Sequence, residues 1–183
     1  MSESKDTNLG KLYAEKVRAE LEEVEREFSS WNFCASEGNP LATVLLVKGQ
    51  AGPAEQCGGP ALSGPDGAAA AKALKALGFA ADSDYRVMSR PLGDASPADA
   101  IHSRLLLLIQ VIDPLVIIAL DSCAAADLAG ALEAALPPTG TPVQIHGRTI
   151  LALQGLEDSL GDERSKRVVW EQLKQLSSDS RSG

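Results

Sequence analysis

The sequence predicts an α/β protein, a three-layer α/β/α sandwich built on a mainly parallel, four-stranded central sheet. Strand-type and helix-type segments alternate through most of the chain, the order that gives a parallel sheet between helices. Residues 115–120 are apolar throughout, as expected of a strand covered on both faces. Residues 43–47 form an apolar β-type run that breaks into a loop dense in Gly and Pro. That loop closes at Pro65-Asp66-Gly67, where an Ala-rich helix begins. Open α/β sheets build sites this way, because the loop lies beyond the carboxyl end of its strand and glycine lets the backbone approach a ligand.

The elements follow in order. Residues 1–7 are polar and read as a frayed end. Over residues 9–28, Ala14, Val17, Leu21, Val24 and Phe28 recur at steps of three and four, a helical stripe that leaves most glutamates outside it. The stripe packs on the domain's own core or forms a short coiled-coil seam with a second copy. Fewer than three heptads favours the first. Trp31 and Phe33 fall in a loop ending at Gly38-Asn39-Pro40.

Beyond the 43–67 stretch, Asp66 is placed to cap a helix over about 67–77, and Gly78 sits where a terminating glycine belongs. Residues 85–88 read as a second strand. Ser96, Pro97 and Asp99 open the next helix with a cap, a first-position proline and a first-turn acid. That helix continues through LLLLIQVI and stops before Pro114; the 115–120 strand follows. Asp121 or Ser122 caps an Ala/Leu helix ending before Pro137-Pro138. Residues 143–145 and 149–153 are β-prone around a tight turn at His146-Gly147. A last helix over about 161–176 presents Val168, Val169, Leu173 and Leu176, and a polar tail from Ser177 reads as disordered. By domain, residues 1–40 are an N-terminal helix and connecting loop, 41–176 the α/β domain and 177–183 the tail.

Composition narrows the function. The 183 residues carry a net charge of −8, and neither end is basic: residues 1–40 hold five basic and nine acidic side chains, the rest twelve and sixteen. Tight nonspecific nucleic-acid binding, which depends on phosphate neutralisation, is disfavoured. With only 4% aromatics, the core must be aliphatic. Cys34, Cys57 and Cys123 are odd in number and widely spaced, which suggests reduced thiols, not a disulfide frame or a zinc site. The beginning of the chain has no apolar signal core and no run is long enough to span a bilayer, so a cytoplasmic protein without a membrane contact is expected. A Rossmann or P-loop enzyme is disfavoured, because GxGxxG and GxxxxGK[ST] are both missing and Lys48 precedes the glycines.

Across about residues 40–176 the chain resembles the uracil-DNA glycosylase superfamily, especially its bacterial branches outside the best-known enzyme. Three segments carry the resemblance. Gly49-Gln50-Ala51-Gly52-Pro53 follows a strand as the family's G-E-x-P-G-like motif does, and Ala61-Leu62-Ser63-Gly64-Pro65-Asp66-Gly67 stands where the family has P-F-x-G-x-x-G and a helix. Arg90-Pro91, Pro97, the apolar helix, Asp113-Pro114 and the 116–120 strand look like its R-P…P…x-P-x-x-I-x-A-L-G run. Residues 149–153 and 166–176 are similar to its last strand and final helix.

The resemblance implies a fold that flips a base out of DNA, holds it between an aromatic ring and polar groups, and stabilises the departing base or activates water. It puts the base-binding surface on Gly49, Gln50, Ala51, Leu62, Ser63, Ser89 and Leu156. The chemistry departs from the family at five places. Gln50 replaces an acid and cannot act as a general base; Glu55 nearby is either its substitute or a surface loop carboxylate. Leu62 replaces the stacking aromatic. Tyr85-Arg86-Val87-Met88 lacks the base-reading Asn, Asp121 replaces a glycine, and residues 154–159 lack the His and Pro of the H-P-S motif. His102 and His146 read as structural or surface residues. Three scattered cysteines do not reproduce the four-cysteine iron–sulfur ligand set of some branches, so no cofactor is expected.

These departures predict a catalytically degenerate relative, retaining weak DNA or nucleobase contact or serving as a protein-interaction module. The 9–28 helix is then a place for a partner or a second subunit. The alternative is an active glycosylase using Gln50 or Glu55 and the loop's backbone amides. A flipped base needs an open pocket between the 49–67 loop and residues 154–160, which Leu62 and Leu156 would close.

Overall fold

The computed structural model describes residues 3–93 and 97–179. The chain runs α1 (Glu3–Glu27), β1 (Glu37–Gly38), β2 (Val44–Lys48), α2 (Pro53–Gln56), α3 (Pro65–Ala76), β3 (Asp84–Met88), α4 (Ala98–Ile112), β4 (Val116–Ala119), α5 (Ser122–Ala131), β5 (Val143–Ile145), β6 (Arg148–Ala152), α6 (Leu156–Ser159) and α7 (Glu163–Asp179). The protein is α/β, as its alternating pattern predicts. The sheet, however, is mixed and six-stranded, in the order β1-β3-β2-β4-β6-β5. Its four inner strands are parallel, and β1 and β5 pair antiparallel at the two edges. The expectation of four strands undercounts because β1 is two residues long, too short to carry a periodic signal. It also leaves the 143–145 run, read as one arm of a hairpin, out of the sheet that it joins through β6. His146 and Gly147, at φ 50° and 78°, make that turn with the two positive φ values of a type I′ turn.

Side chains leave a strand alternately to either face, and that alternation splits the core in two. Leu45, Val47, Val87, Ile117, Ala119 and Ile150 pack against α1, α4 and α5. Val44, Leu46, Met88, Ile118, Leu120, Leu151 and Leu153 pack against α3, α6 and α7. The stripe Val17, Leu21, Val24 and Phe28 of α1 belongs to the first cluster, so this helix packs on its own chain. Arg104 fixes it there. Although fully buried in the apolar face of α4, its guanidinium donates to both Glu25 oxygens, to Ser36 Oγ and to the Met88 carbonyl, and its Cζ lies 4.1 Å from the centre of the Phe33 ring.

Several local expectations are corrected. α1 begins at Glu3, so the polar start is helical from that residue. α3 is capped by the Gly64 backbone with Pro65 first, and Asp66 turns its side chain elsewhere. Gly78, at φ 88°, does terminate α3. Ser96, expected to cap α4, lies outside the described residues, as do residues 180–183 of the expected tail; α7 continues to Asp179. On α7, Val169, Leu173 and Leu176 are buried, but Val168 points outward. Among the described residues no helix is long and apolar enough to cross a membrane.

Candidate functional site

The inner strands run β3-β2-β4-β6, so the chain order reverses between β2 and β4. In open parallel sheets, ligands bind beyond the carboxyl ends of the strands at such a point. Four residues named by the sequence reach this rim, each two positions past the end of its strand: Gln50 after β2, Arg90 after β3, Asp121 after β4 and Gln154 after β6.

The 49–67 loop is folded around two carboxylates. Asp121 caps α5 by accepting from the Ala124 N–H at 2.8 Å through Oδ1. Its Oδ2 accepts the Gly49 and Gln50 N–H groups at 2.9 and 3.1 Å. Gly49 is required there: a Cβ would meet the Ala124 nitrogen, Cys123 Cβ and Asp121 Oδ1. Glu55, expected as a catalyst or a surface loop carboxylate, is not at the surface. It is fully buried and accepts from the Gly52 N–H and the Leu62 N–H, each at 2.9 Å.

Lys48 ends β2 inside the protein. Its ammonium lies 3.0 Å from Glu55, 2.6 Å from Asp66 and 3.0 Å from Glu157. Glu55 and Asp66 are buried with it, whereas Glu157, on α6, is about a third exposed at 34%. Desolvation lowers the lysine's proton affinity, but the hydrogen bonds to Asp66, Glu157 and Glu55 more than offset it. The group is held above the ordinary lysine range. Gly52 makes room for the Glu157 carboxylate, which a Cβ at that position would strike.

A cavity of about 20 Å³ remains at the rim, lined by Lys48, Gln50, Asp66, Leu120, Asp121, Gly155, Leu156, Glu157 and Asp158. A space of this size holds on the order of one or two waters and is far too small for a nucleobase. Gln50 is exposed at its mouth, with Nε2 donating weakly to Cys123 Sγ at 3.4 Å. Leu156 is buried in its wall. Leu62, at φ 56°, is buried within the second core cluster and does not line the cavity. Its carbonyl occupies the space that a Cβ at Gly67 would need. Ala51 packs on the same cluster, and Ser63 is exposed away from the cavity.

Ser89 is buried, and its hydroxyl donates to Asp127 at 2.6 Å. Arg90 makes a two-pronged contact with that same carboxylate, and this hydrogen bonding is the main cause raising its pKa. The Arg-Pro segment therefore ties β3 to α5 and leaves Ser89 no free hydroxyl proton for a ligand. His146 pairs through Nε2 with the Leu132 carbonyl, and the His102 ring lies over Gly130. His102 thus packs between helices, whereas His146 is exposed at the β5–β6 turn, and neither lines the rim cavity. Cys34 is buried, with burial raising its pKa; Cys57 is exposed and Cys123 intermediate, and all three are free. Among the described residues no group of His, Cys, Asp and Glu is arranged to hold a metal ion.

Sequence reasoning missed Lys48, Asp66 and Glu157 as a unit. One signal was available: a lysine ending an all-apolar strand must be buried, and a buried ammonium needs acidic partners. No family model matches this chain, and no curated protein does.

Proposed function

We propose that this chain is a uracil-DNA-glycosylase-like α/β domain that has lost catalysis and acts by binding a protein partner. One observation carries the proposal: the donors of the 49–67 loop are held by the chain's own carboxylates. Asp121 takes the Gly49 and Gln50 amides, and Glu55 takes those of Gly52 and Leu62. An active site of this kind needs such donors free to meet charge developing on the departing base. The residue at the family's glycine position, Asp121, is thus what closes the loop against a ligand.

The positions of Gln50, Arg90, Asp121 and Gln154 on one rim support the glycosylase-like reading of the fold. Asp121, Glu157 and Asp158 around the cavity make that rim acidic, which opposes a DNA backbone. Hydrolysis by Glu55 would require a fully buried carboxylate to give up Lys48 and two amides. Hydrolysis through Gln50 would lack a base. The three free thiols suit a reducing, cytoplasmic setting.

The test is excision from uracil-containing single-stranded and mismatched DNA, followed by a DNA-binding titration started at low salt. Neither cleavage nor binding is expected. Turnover that disappears in Gln50→Ala would overturn the proposal in favour of the active enzyme. Salt-sensitive binding without cleavage would replace the protein partner by nucleic acid.

A further inference from the structure

The carboxylates that take up the donors of the 49–67 loop leave acceptors in excess at the rim. Asp66, Asp121, Glu157 and Asp158 line the cavity of about 20 Å³ against one cation, Lys48. Asp66 is aimed into it. The residue lines the cavity although only 1% exposed, and Lys48 holds its Oδ2. Its buried Oδ1 accepts from no donor among the described residues. Such an oxygen is costly unless a donor reaches it. The Glu157 carboxylate, partly exposed, makes one contact, with Lys48. Asp158 is exposed, and its carboxylate has no partner among the described residues.

We infer that this cavity binds a primary ammonium group, the tip of a lysine side chain on the partner protein. Four carboxylates facing one lysine repel an anion and attract a cation. Room for one or two waters admits an ammonium, which is close to water in size, and excludes the broad planar guanidinium of arginine. A metal ion needs converging ligands, and among the described residues no His, Cys, Asp and Glu converge in that way. An ammonium carries three rotatable donors and reaches acceptors that are spread apart. Leu120 and Leu156 in the wall offer apolar contact to the carbons next to the nitrogen, as a lysine stem requires. That the lysine belongs to a protein rests on the protein-binding role; the ammonium site itself does not.

The experiment is an amide chemical-shift titration of the full chain at constant ionic strength. The probes are butylammonium, lysine capped at both backbone ends, arginine capped likewise, potassium chloride and magnesium chloride. Butylammonium and capped lysine are expected to shift the Gly155, Glu157 and Asp158 amides saturably in the millimolar range, and the other three probes to leave them in place. Asp158→Asn, at an exposed position, should weaken the binding by about fivefold. Glu23→Gln, exposed on the helix that covers the opposite face of the sheet, should leave it unchanged. No saturable shift by about 100 mM amine overturns the inference. So does a response to capped arginine or to either salt that matches the response to capped lysine, and so does Asp158→Asn that binds like wild type. Butylammonium binding without capped lysine overturns the partner's lysine and makes a free amine the ligand. The excision and DNA-binding assays decide the proposed role separately.

Discussion

The Lys48 ammonium and the Asp66 carboxylate meet at 2.6 Å, both almost wholly buried. One residue ends β2 and the other lies in the first turn of α3, so the pair fastens the two ends of the 49–67 loop to each other. Glu55, from the middle of that loop, reaches the same ammonium. An irregular stretch rich in Gly and Pro is thereby held around a single buried charge.

Replacing that charge should cost the most. Lys48→Met leaves Glu55 and Asp66 buried without a counter-charge, and a loss of about 3–5 kcal/mol in urea unfolding is expected. A loss below about 1 kcal/mol, the value of an exposed pair, would mean that the cluster does not hold the loop.

The acids around Lys48 should not be equivalent. Glu55→Gln removes a fully buried carboxylate serving the lysine and two amides, and a loss of about 3 kcal/mol is expected. Glu157→Gln alters a carboxylate that solvent partly screens, with an expected effect of at most about 1 kcal/mol. Unfolding midpoints of the two variants decide it, and equal losses would contradict the ranking.

Stability should fall in alkali. The folded protein holds the Lys48 proton more tightly than the unfolded chain. Its contribution is therefore complete below the unfolded lysine pKa, about 10.4, and is lost as pH rises through the folded value. Tyr85 acts in the same direction, because burial raises its hydroxyl to about 12. Urea midpoints from neutral pH upward should decline above about pH 10, and less steeply in Lys48→Met, where only the tyrosine part remains. Identical slopes would remove Lys48 as a source.

Asp121→Ala should loosen the loop as well as the helix it caps. Loss of a cap costs about 1 kcal/mol, and the Gly49 and Gln50 amides lose their acceptor. Hydrogen exchange at those two amides should accelerate beyond the change in global stability. Unchanged protection would show that Asp121 acts on α5 alone.

What the sequence by itself determined is local. The apolar runs at 43–47 and 115–120 locate inner strands within a residue or two, because a strand covered on both faces is apolar throughout. The 3.6-residue stripe of Val17, Leu21, Val24 and Phe28 likewise marks the face of α1 that is buried. Gly78 and His146-Gly147 announce their turns because few residues adopt positive φ. Tertiary structure alone decided the rest. β1 exists only because Glu37 and Gly38 meet Arg86 and Tyr85 at the sheet edge. Arg104 looks like an interruption of an apolar helix until α1 brings Glu25 to it. Lys48 looks like the residue before a glycine loop until α3 and α6 supply Asp66 and Glu157. A buried charge is tolerable only beside partners that the chain path brings from far away. No local periodicity records those meetings, and they decide whether the rim beyond β2 and β4 stands open to a ligand or is closed by the chain's own carboxylates.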